Sequence, residues 1–493
     1  MNSLLYLNAN CVDFAKKKIT LLNLLVQEGK IRTLFAVNED HPRGLHMIDL
    51  RKQYVIPGFI DAHTHLISHG IEMQRLNLGT CRSLDECLAK LTAQAKMREL
   101  IFASEWDENT WRVDERGKFN RKILDRISRT KPIIARRICG HFAVVNTAAL
   151  RCISKKWKTV DHEHGFLYED VALNLNDIFP PSERMLEKAL SLATKKALNL
   201  GITSVHEIVN PRRLSLLQKH KNHLKVRFAV YMTSQYYPYV AASGLRSGFG
   251  DEWLRFAGIK VFADGSIGAR TAALRQPYAN TRRRGNVLLT ANTIREMTRE
   301  AEDAGLQLMI HSIGDRASQT VIANMGKLVR SGNPLRHRLE HLEILDGEAV
   351  RNISRLGLIA SMQPNFVRRW QAAGGMYSKL LGHRYERMNC FKALLKARAK
   401  VVFGSDCMPL GPVYGIKGAL EHPARCCRLN IAEAFLLYTQ SGAYLTFEEK
   451  TKGKIAPGFV ADLVLLNKNP LEEKNLEHLR IQDVLVNGTS VNS

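Results

Sequence analysis

The sequence predicts an α/β protein: a (β/α)8 TIM-like barrel, a composite β-sandwich from both termini, and a large insertion after the first barrel strand. Three observations predict it. Six potential metal ligands, His63, His65, Lys260, His311, His341 and Asp406, occur in order where buried strands should end. Strand-like and helix-like stretches alternate through the centre of the chain. Both ends are strand-like and poor in helical periodicity.

Taken in order, the N-terminal runs LLYLNA, ITLLNLLV, TLFAV and MIDL precede QYVIPGF, and the C-terminal runs KIAPGFVADLVLLN and DVLVNGTSV have the same texture. Residues 1–56 and 450–493 are therefore expected to pair into one β-sandwich, since chain termini often lie close together. Residues 57–449 hold the barrel. LTANTIREMTREAEDAGLQLMIH shows its grammar: a helix begins near Thr290, ends at Gly305, and feeds a strand that delivers His311. SERMLEKALSLATKKALNLGITSVHE repeats the pattern from Ser182 to His206. Such βα units imply a parallel sheet. His311 to His341 spans one unit and His341 to Asp406 spans two, with ASMQPNF as the strand between. Strands ending near His206, Met232 and Ala263 fill the second to fourth places. The stretch from His65 to Ile202 is far too long for one unit, so an insertion occupies about 70–180. Loops after barrel strands emerge on the catalytic face, where the insertion is expected to lie.

Size and composition restrict the function classes. The chain is too long for a single core. Its 45% apolar and 24% charged residues are those of an ordinary globular protein. No apolar run approaches the roughly 18–20 residues that span a bilayer. MNSLLYLNANCVDF lacks a basic leader region, which predicts a first strand and a cytoplasmic protein. Nine cysteines, an odd count without a CxxC pair, predict that most are buried, reduced thiols, with the vicinal Cys426-Cys427 able to oxidise. The net charge of +25 is spread along the chain, with clusters at Arg282-Arg283-Arg284 and Arg368-Arg369. A solvated basic surface accounts for it without a nucleic-acid module; steering of anionic substrates and weak RNA adhesion are the alternatives.

The candidate ligands carry the chemistry. Five leave short apolar runs directly, while His341 follows the weaker Arg338-Leu339-Glu340. His63 and His65 share one side of an extended strand, a geometry for joint ligation. Imidazole and carboxylate together suit zinc, with manganese, iron, cobalt and nickel as alternatives. Lys260 lies inside the apolar strand Ala257–Phe262. Burial would make its amine nucleophilic, and reaction with CO2 would give a carbamate long enough to bridge two metals; an ion-paired lysine is the simpler alternative. Glu340 is expected on the opposite side of its strand from His341, as a structural group or one that supports the ligands from behind. For substrate contacts the insertion offers Trp106, Asp107, His141 and Asn146, and the strand-end loops offer Asp264, Arg270, Asp315 and Gln363. Packing of Trp106 and Trp111, and an ion pair between Glu169 and Arg270, are the structural alternatives.

PGFIDAHTHL, IKVFADGSIGARTAAL, IHSIGDRA, RLEHLEIL, SMQPNF and FGSD together resemble the amidohydrolase superfamily, more narrowly the YtcJ-like branch, amidohydrolase family 3, related to N-substituted formamide deformylases. EWDENTW, GHFAVVNTAAL, HGFLYED and GKIAPGFVADLVLL extend the resemblance over nearly the whole chain. The resemblance implies His63 and His65 on a more buried metal, His311 and His341 on an outer one, Lys260 as a bridging carbamate, and Asp406 as ligand and proton shuttle. Two features depart from the expected pattern: Glu207 stands where aspartate is expected, and the charge is high.

These residues imply hydrolysis of an amide, N-substituted formamide or cyclic amide, because a metal lowers the pKa of water to about 7 and polarises a carbonyl. Asp406 would move the proton from water to the leaving amine. The same centre serves an ester, lactone or cyclic-urea hydrolase, or a deaminase. A basic RNA-associated barrel without activity is a third reading. The expected partner is a small-molecule substrate, with no specific nucleic acid and no membrane, and the sequence admits a homodimer.

Overall fold

Eight parallel strands succeed one another in a single sheet: Phe59–Thr64, Ile202–Val209, Arg227–Thr233, Leu254–Phe262, Gln307–Ser312, Arg338–His341, Ile359–Met362 and Lys400–Phe403. They are seen in a computed structural model that describes residues 3–492 apart from positions 43, 141, 155, 156, 158 and 169. The first and last strands share no ladder, yet backbone bonds close the circle. Asp406 N–H donates to His63 O at 2.8 Å. Gly404 permits that approach, since a Cβ there would stand 2.4 Å from the His63 nitrogen. Strand interiors are buried on both faces, as a parallel sheet wrapped by helices requires.

The helices between the strands follow their local signals. Ala291–Ala304 is capped by Thr290, whose hydroxyl accepts from Thr293 N–H, and it stops at Gly305 in the left-handed region at φ 68°. Gly305 supplies a conformation that costs a residue with a Cβ.

Strands from both termini join in one mixed, hydrogen-bonded sheet of eight strands. Its path places Leu463–Leu466 beside Tyr54–Pro57, and Tyr54–Pro57 beside Ser3–Asp13. A register shift between Tyr6 and Ala9 marks an irregularity in Ser3–Asp13, where His46–Asp49 pairs before it and Tyr54–Pro57 after it. Tyr6, Leu24, Ile31, Val55, Leu463 and Leu485 make a shared core. Buried Arg227 ties this sheet to the barrel through a two-pronged bond to Asp462, at 2.7 and 3.0 Å.

By compactness the chain divides into Met1–Leu66 with Ala193–Ser493, and Ile67–Leu192. The second unit has its own six-stranded sheet and core, in which Leu78, Leu91, Trp106, Trp111, Phe119 and Leu124 pack together. Among the described residues no helix is long and apolar enough to cross a membrane. Seven cysteines are free, as expected of most of them, while Cys390 is bonded to Cys427. The helix Phe391–Lys396 starts beside the turn Arg425–Cys427, and Cys427 is buried while Cys426 is exposed, so Cys390 rather than its sequence neighbour meets Cys427.

Candidate metal centre

The barrel brings the predicted ligands to neighbouring strand ends. His63 lies one residue before the end of the first strand and His65 follows it, and both turn an Nε2 toward Asp406 Oδ1, at 3.6 and 3.3 Å. His63, His341 and Asp406 each offer one ligand atom within 4.8 Å of the other two. The His341 ring lies 4.9 Å from that of His63 and 4.5 Å from that of His311, centroid to centroid. His63 is sealed from solvent, whereas the His65 side chain is 35% exposed, so the centre is open on the His65 side.

Irregular backbone aims several of these groups. His341 and Leu342 have φ of 70° and 48°, which breaks the alternation of an extended strand. Glu340 therefore does not turn away from the centre as the alternation predicts. Its carboxylate crosses the barrel to His63 Nδ1 at 2.5 Å. Asp406 and Cys407 also have positive φ, 54° and 56°, in the turn that follows Gly404-Ser405. Cys407 Sγ accepts from His65 N–H at 3.4 Å. Backbone conformations of this kind concentrate at functional sites because surrounding contacts hold them.

Each imidazole has one nitrogen occupied by the protein. His63 Nδ1 faces Glu340, His341 Nδ1 faces Gln363 Oε1 at 2.7 Å, and His311 Nε2 faces Gly265 O at 3.0 Å. The opposite nitrogens, Nε2 of His63 and His341 and Nδ1 of His311, remain as lone-pair donors. Burial, aided by the Lys260 charge, keeps His63 neutral far below the usual histidine range. Burial and the neighbouring His311 do the same for His341, and burial brings His311 down to about 4. Burial opposes ionisation of Asp406, yet His63, His65 and Lys260 hold its carboxyl below the ordinary range. Neutral imidazoles and an ionised carboxylate are the forms that ligate a cation.

Lys260 is 1% exposed, and its amine has no hydrogen-bond partner among the described residues. Burial pushes it down to about 8 against the opposing pull of Glu340 and Asp406. Among the described residues Asp406 Oδ1 is likewise buried, with no well-aligned hydrogen bond beyond its approach to the His63 and His65 nitrogens. A dry amine and an unsatisfied carboxylate oxygen facing three imidazoles fit a cation centre, which would satisfy both.

The predicted substrate residues divide. In Ile67–Leu192, Trp106 stacks on Trp111, meets Phe119 edge-on, and donates its indole N–H to Ala135 O at 3.0 Å. Asn146 accepts from Ile133 and Ala149 N–H and donates to Ser128 and Lys131 O. The polar atoms of both are consumed inside their own unit, so packing and capping replace the expected substrate contact. Asp107 caps Glu108–Thr110 and pairs with Arg137 at 3.0 Å. His141, and Glu169 as partner of Arg270, lie outside the described residues. In the barrel, Asp264 is buried and accepts three backbone N–H bonds, from Ala273, Ile313 and Gly314. Burial raises its carboxyl to about 6 against those bonds, and it lies 3.6 Å from His311 Nε2. Asp315 accepts from Arg275 N–H, Arg270 is exposed, and Gln363 is buried with Nε2 unpaired.

Three supports were not singled out from the sequence as ligand-holding groups. Asp61 Oδ1 accepts from Ser405 and His63 N–H. Glu207, the departure from the expected pattern, accepts from Thr64 Oγ1 at 2.7 Å and Leu66 N–H at 2.6 Å, clasping the chain on either side of His65. Arg338 binds Glu340. Charged letters inside otherwise apolar strands were the available signal.

A parallel barrel that gathers neutral imidazoles, an ionised carboxylate and a dry lysine at its strand ends defines the metal-dependent hydrolase class. The chain belongs to the amidohydrolase family, whose profile matches residues 46–492. It is 27% identical over 492 residues to the putative amidohydrolase YtcJ of Bacillus subtilis (strain 168), covering 90% of each chain. It is 22% identical over 545 residues to the N-substituted formamide deformylase of Arthrobacter pascens, covering 99% of this chain and 98% of that one. Among solved structures, an uncharacterized metal-dependent hydrolase from Pyrococcus horikoshii OT3 is 25% identical with a TM-score of 0.85, over 97% of this chain and 100% of that chain. The family implies a divalent metal, and the His/Asp cluster is where this chain would hold it.

Proposed function

We propose that the protein hydrolyses a non-peptide C–N bond in a small molecule: an amide, an N-substituted formamide or a cyclic amide. The observation that carries the reading is the convergence of His63, His341 and Asp406 ligand atoms within 4.8 Å, beside a buried amine. His63, His65 and Asp406 would hold one divalent cation and His311 and His341 a second, with zinc the first choice for such donors. Lys260, as a CO2-derived carbamate, would give both cations a shared oxygen ligand. A bound cation supplies Lewis acidity, bringing the pKa of water toward neutrality and polarising a carbonyl.

The chain's own residues do the rest. Asp406, kept ionised, accepts the proton of the attacking water at its carboxylate and returns it to the departing nitrogen. Glu340, Gln363 and Gly265 O fix the histidine ring orientations before substrate arrives. The likeness to an N-substituted formamide deformylase over nearly both full chains supports the choice of bond. The test is metal analysis of protein purified without chelator, then a screen of N-formyl, N-acyl and cyclic amides against esters, lactones, cyclic ureas and amino-heterocycles. Metal-dependent turnover of the first group is expected. Turnover confined to the second group would replace this bond assignment.

A further inference from the structure

Arg338 is among the largest fully buried side chains in the protein, and every nitrogen of its guanidinium is used. Nε donates to Glu340 Oε1 at 2.5 Å and Nη2 to Glu340 Oε2 at 2.9 Å, a fork-to-fork pair. Nη2 also reaches Ala62 O and Ser361 Oγ, each at 2.6 Å. Nη1 reaches His206 Nδ1 at 3.0 Å and Tyr231 OH at 3.3 Å. One side chain thus links the first, second, third, sixth and seventh barrel strands, and its carboxylate partner ends on His63 Nδ1.

A buried ion pair alone is weak grounds for stability, because apolar side chains of similar volume often serve as well. The bond onward to His63 gives this pair a further role. A carboxylate is acceptor-only, so Nδ1 of His63 must carry the hydrogen and Nε2 keeps its lone pair, on the side where Asp406 lies at 3.6 Å. His341 is held by the neutral amide of Gln363, and His311 by a backbone carbonyl. Of these three, His63 has its carboxylate within hydrogen-bonding distance, whereas the Asp264 carboxylate stands 3.6 Å from His311 Nε2, and such an acceptor raises the basicity of the free His63 nitrogen.

We propose that Arg338 is a positioning residue for the metal centre: by locking Glu340 it fixes the His63 tautomer and makes the His63 cation the more tightly held. The inference rests on the proposed metal centre and adds the residue that organises it from the barrel axis. Among the described residues Arg338 makes no hydrogen bond to a proposed ligand, and its carboxylate partner Glu340 is the group that reaches one.

The experiment uses full-length protein stripped with chelator and compares wild type, Glu340→Gln, Arg338→Met and the double variant. Zinc affinity is read by competition with a chromophoric chelator, and the His63 tautomer by NMR of [15N]histidine-labelled apoprotein. Each single substitution should weaken the tighter zinc site by roughly 10–100-fold, the usual cost of losing such an outer partner. The double variant should be no weaker than the worse single, because both act on one bond. Wild-type His63 should carry its proton on Nδ1, and Glu340→Gln should mix the tautomers. Zinc affinity unchanged in folded single variants, or losses that multiply in the double, would overturn the role. Should Arg338→Met not fold, Arg338→Lys replaces it, keeping the charge while losing the fork. If wild type takes up no zinc, the proposed function fails separately, and a His63 protonated on Nε2 would then overturn this inference too.

Discussion

Asp61 Oδ1 accepts the backbone N–H of Ser405 at 2.8 Å, which joins the first barrel strand to the chain leaving the eighth. The same oxygen accepts His63 N–H at 3.3 Å. One carboxylate therefore sets the register between the strand that carries His63 and the turn that carries Asp406. His63 and Asp406, 343 residues apart in sequence, are brought together by the closure of the barrel itself.

Replacing Asp61 by alanine leaves two buried N–H groups without acceptors. Each such loss costs about 1–3 kcal/mol. Asp61→Ala is expected to lower stability by that order in urea unfolding and to bind metal less tightly, with its remaining turnover restored by excess metal. A variant as stable as wild type would show that the seam is held by the strand backbones alone.

Metal content tests the ligand set directly. His63→Ala and His311→Ala should each lower the metal bound per chain and abolish hydrolysis, His63→Ala the more severely because its partner Glu340 is left buried without a donor from that ring. The measurement is elemental analysis after reconstitution with zinc, manganese and cobalt. Wild type that stays metal-free in all three would remove the centre from the mechanism.

Acid should release the metal late. An unperturbed histidine protonates near pH 6.5, but burial holds His63 and His341 well below that and His311 at about 4. A depressed histidine favours the neutral, ligating form until pH falls through its folded-state value. Protein titrated from neutrality should therefore keep its metal through the pH range of ordinary histidine protonation and lose it as pH approaches 4. Half-release near pH 6.5 would mean that the rings are not buried as neutral groups.

The strand-end positions of the candidate ligands were legible because the barrel's period is written in the sequence: apolar runs deliver His311 and Asp406, and the weaker Arg338-Leu339-Glu340 delivers His341, at one- or two-unit intervals. The helix Ala291–Ala304 was legible from Thr290 and Gly305 for the same reason, since local chemistry sets its ends. Glu340 was misplaced because strand alternation says nothing of the positive φ at His341. The roles of Asp61, Glu207 and Arg338 depend on partners hundreds of residues away, and only closure of the barrel supplies them. Trp106 and Asn146 show the converse: polar and aromatic letters in an insertion suggest a pocket, yet its own core and caps consume them.

Asp406→Asn separates ligation from proton transfer. Asparagine keeps an oxygen donor toward the metal but cannot accept and return a proton at that position. General acid–base groups contribute about 10²–10⁴-fold to rate, so kcat should fall by that order while much of the metal remains. A folded, metal-loaded variant with more than about half of wild-type turnover would assign the shuttle elsewhere.

Lys260 gives the most exacting test, because the proposed carbamate requires its neutral amine. Burial brings that amine down to about 8, against the opposing charges of Glu340 and Asp406. Above about 8 the amine is neutral and reactive toward CO2; below it the neutral fraction falls about tenfold per pH unit. Stripped protein given metal at fixed dissolved CO2 should therefore activate roughly twentyfold faster at about pH 8.5 than at about pH 6.5. Lys260→Ala should lose that response, bind one cation fewer and recover part of its activity with short carboxylic acids that fill the vacated bridge. An activation rate indifferent to CO2, together with an unmodified Lys260 ammonium in metal-loaded crystals grown with bicarbonate, would reduce the centre to one cation held by the histidines and Asp406.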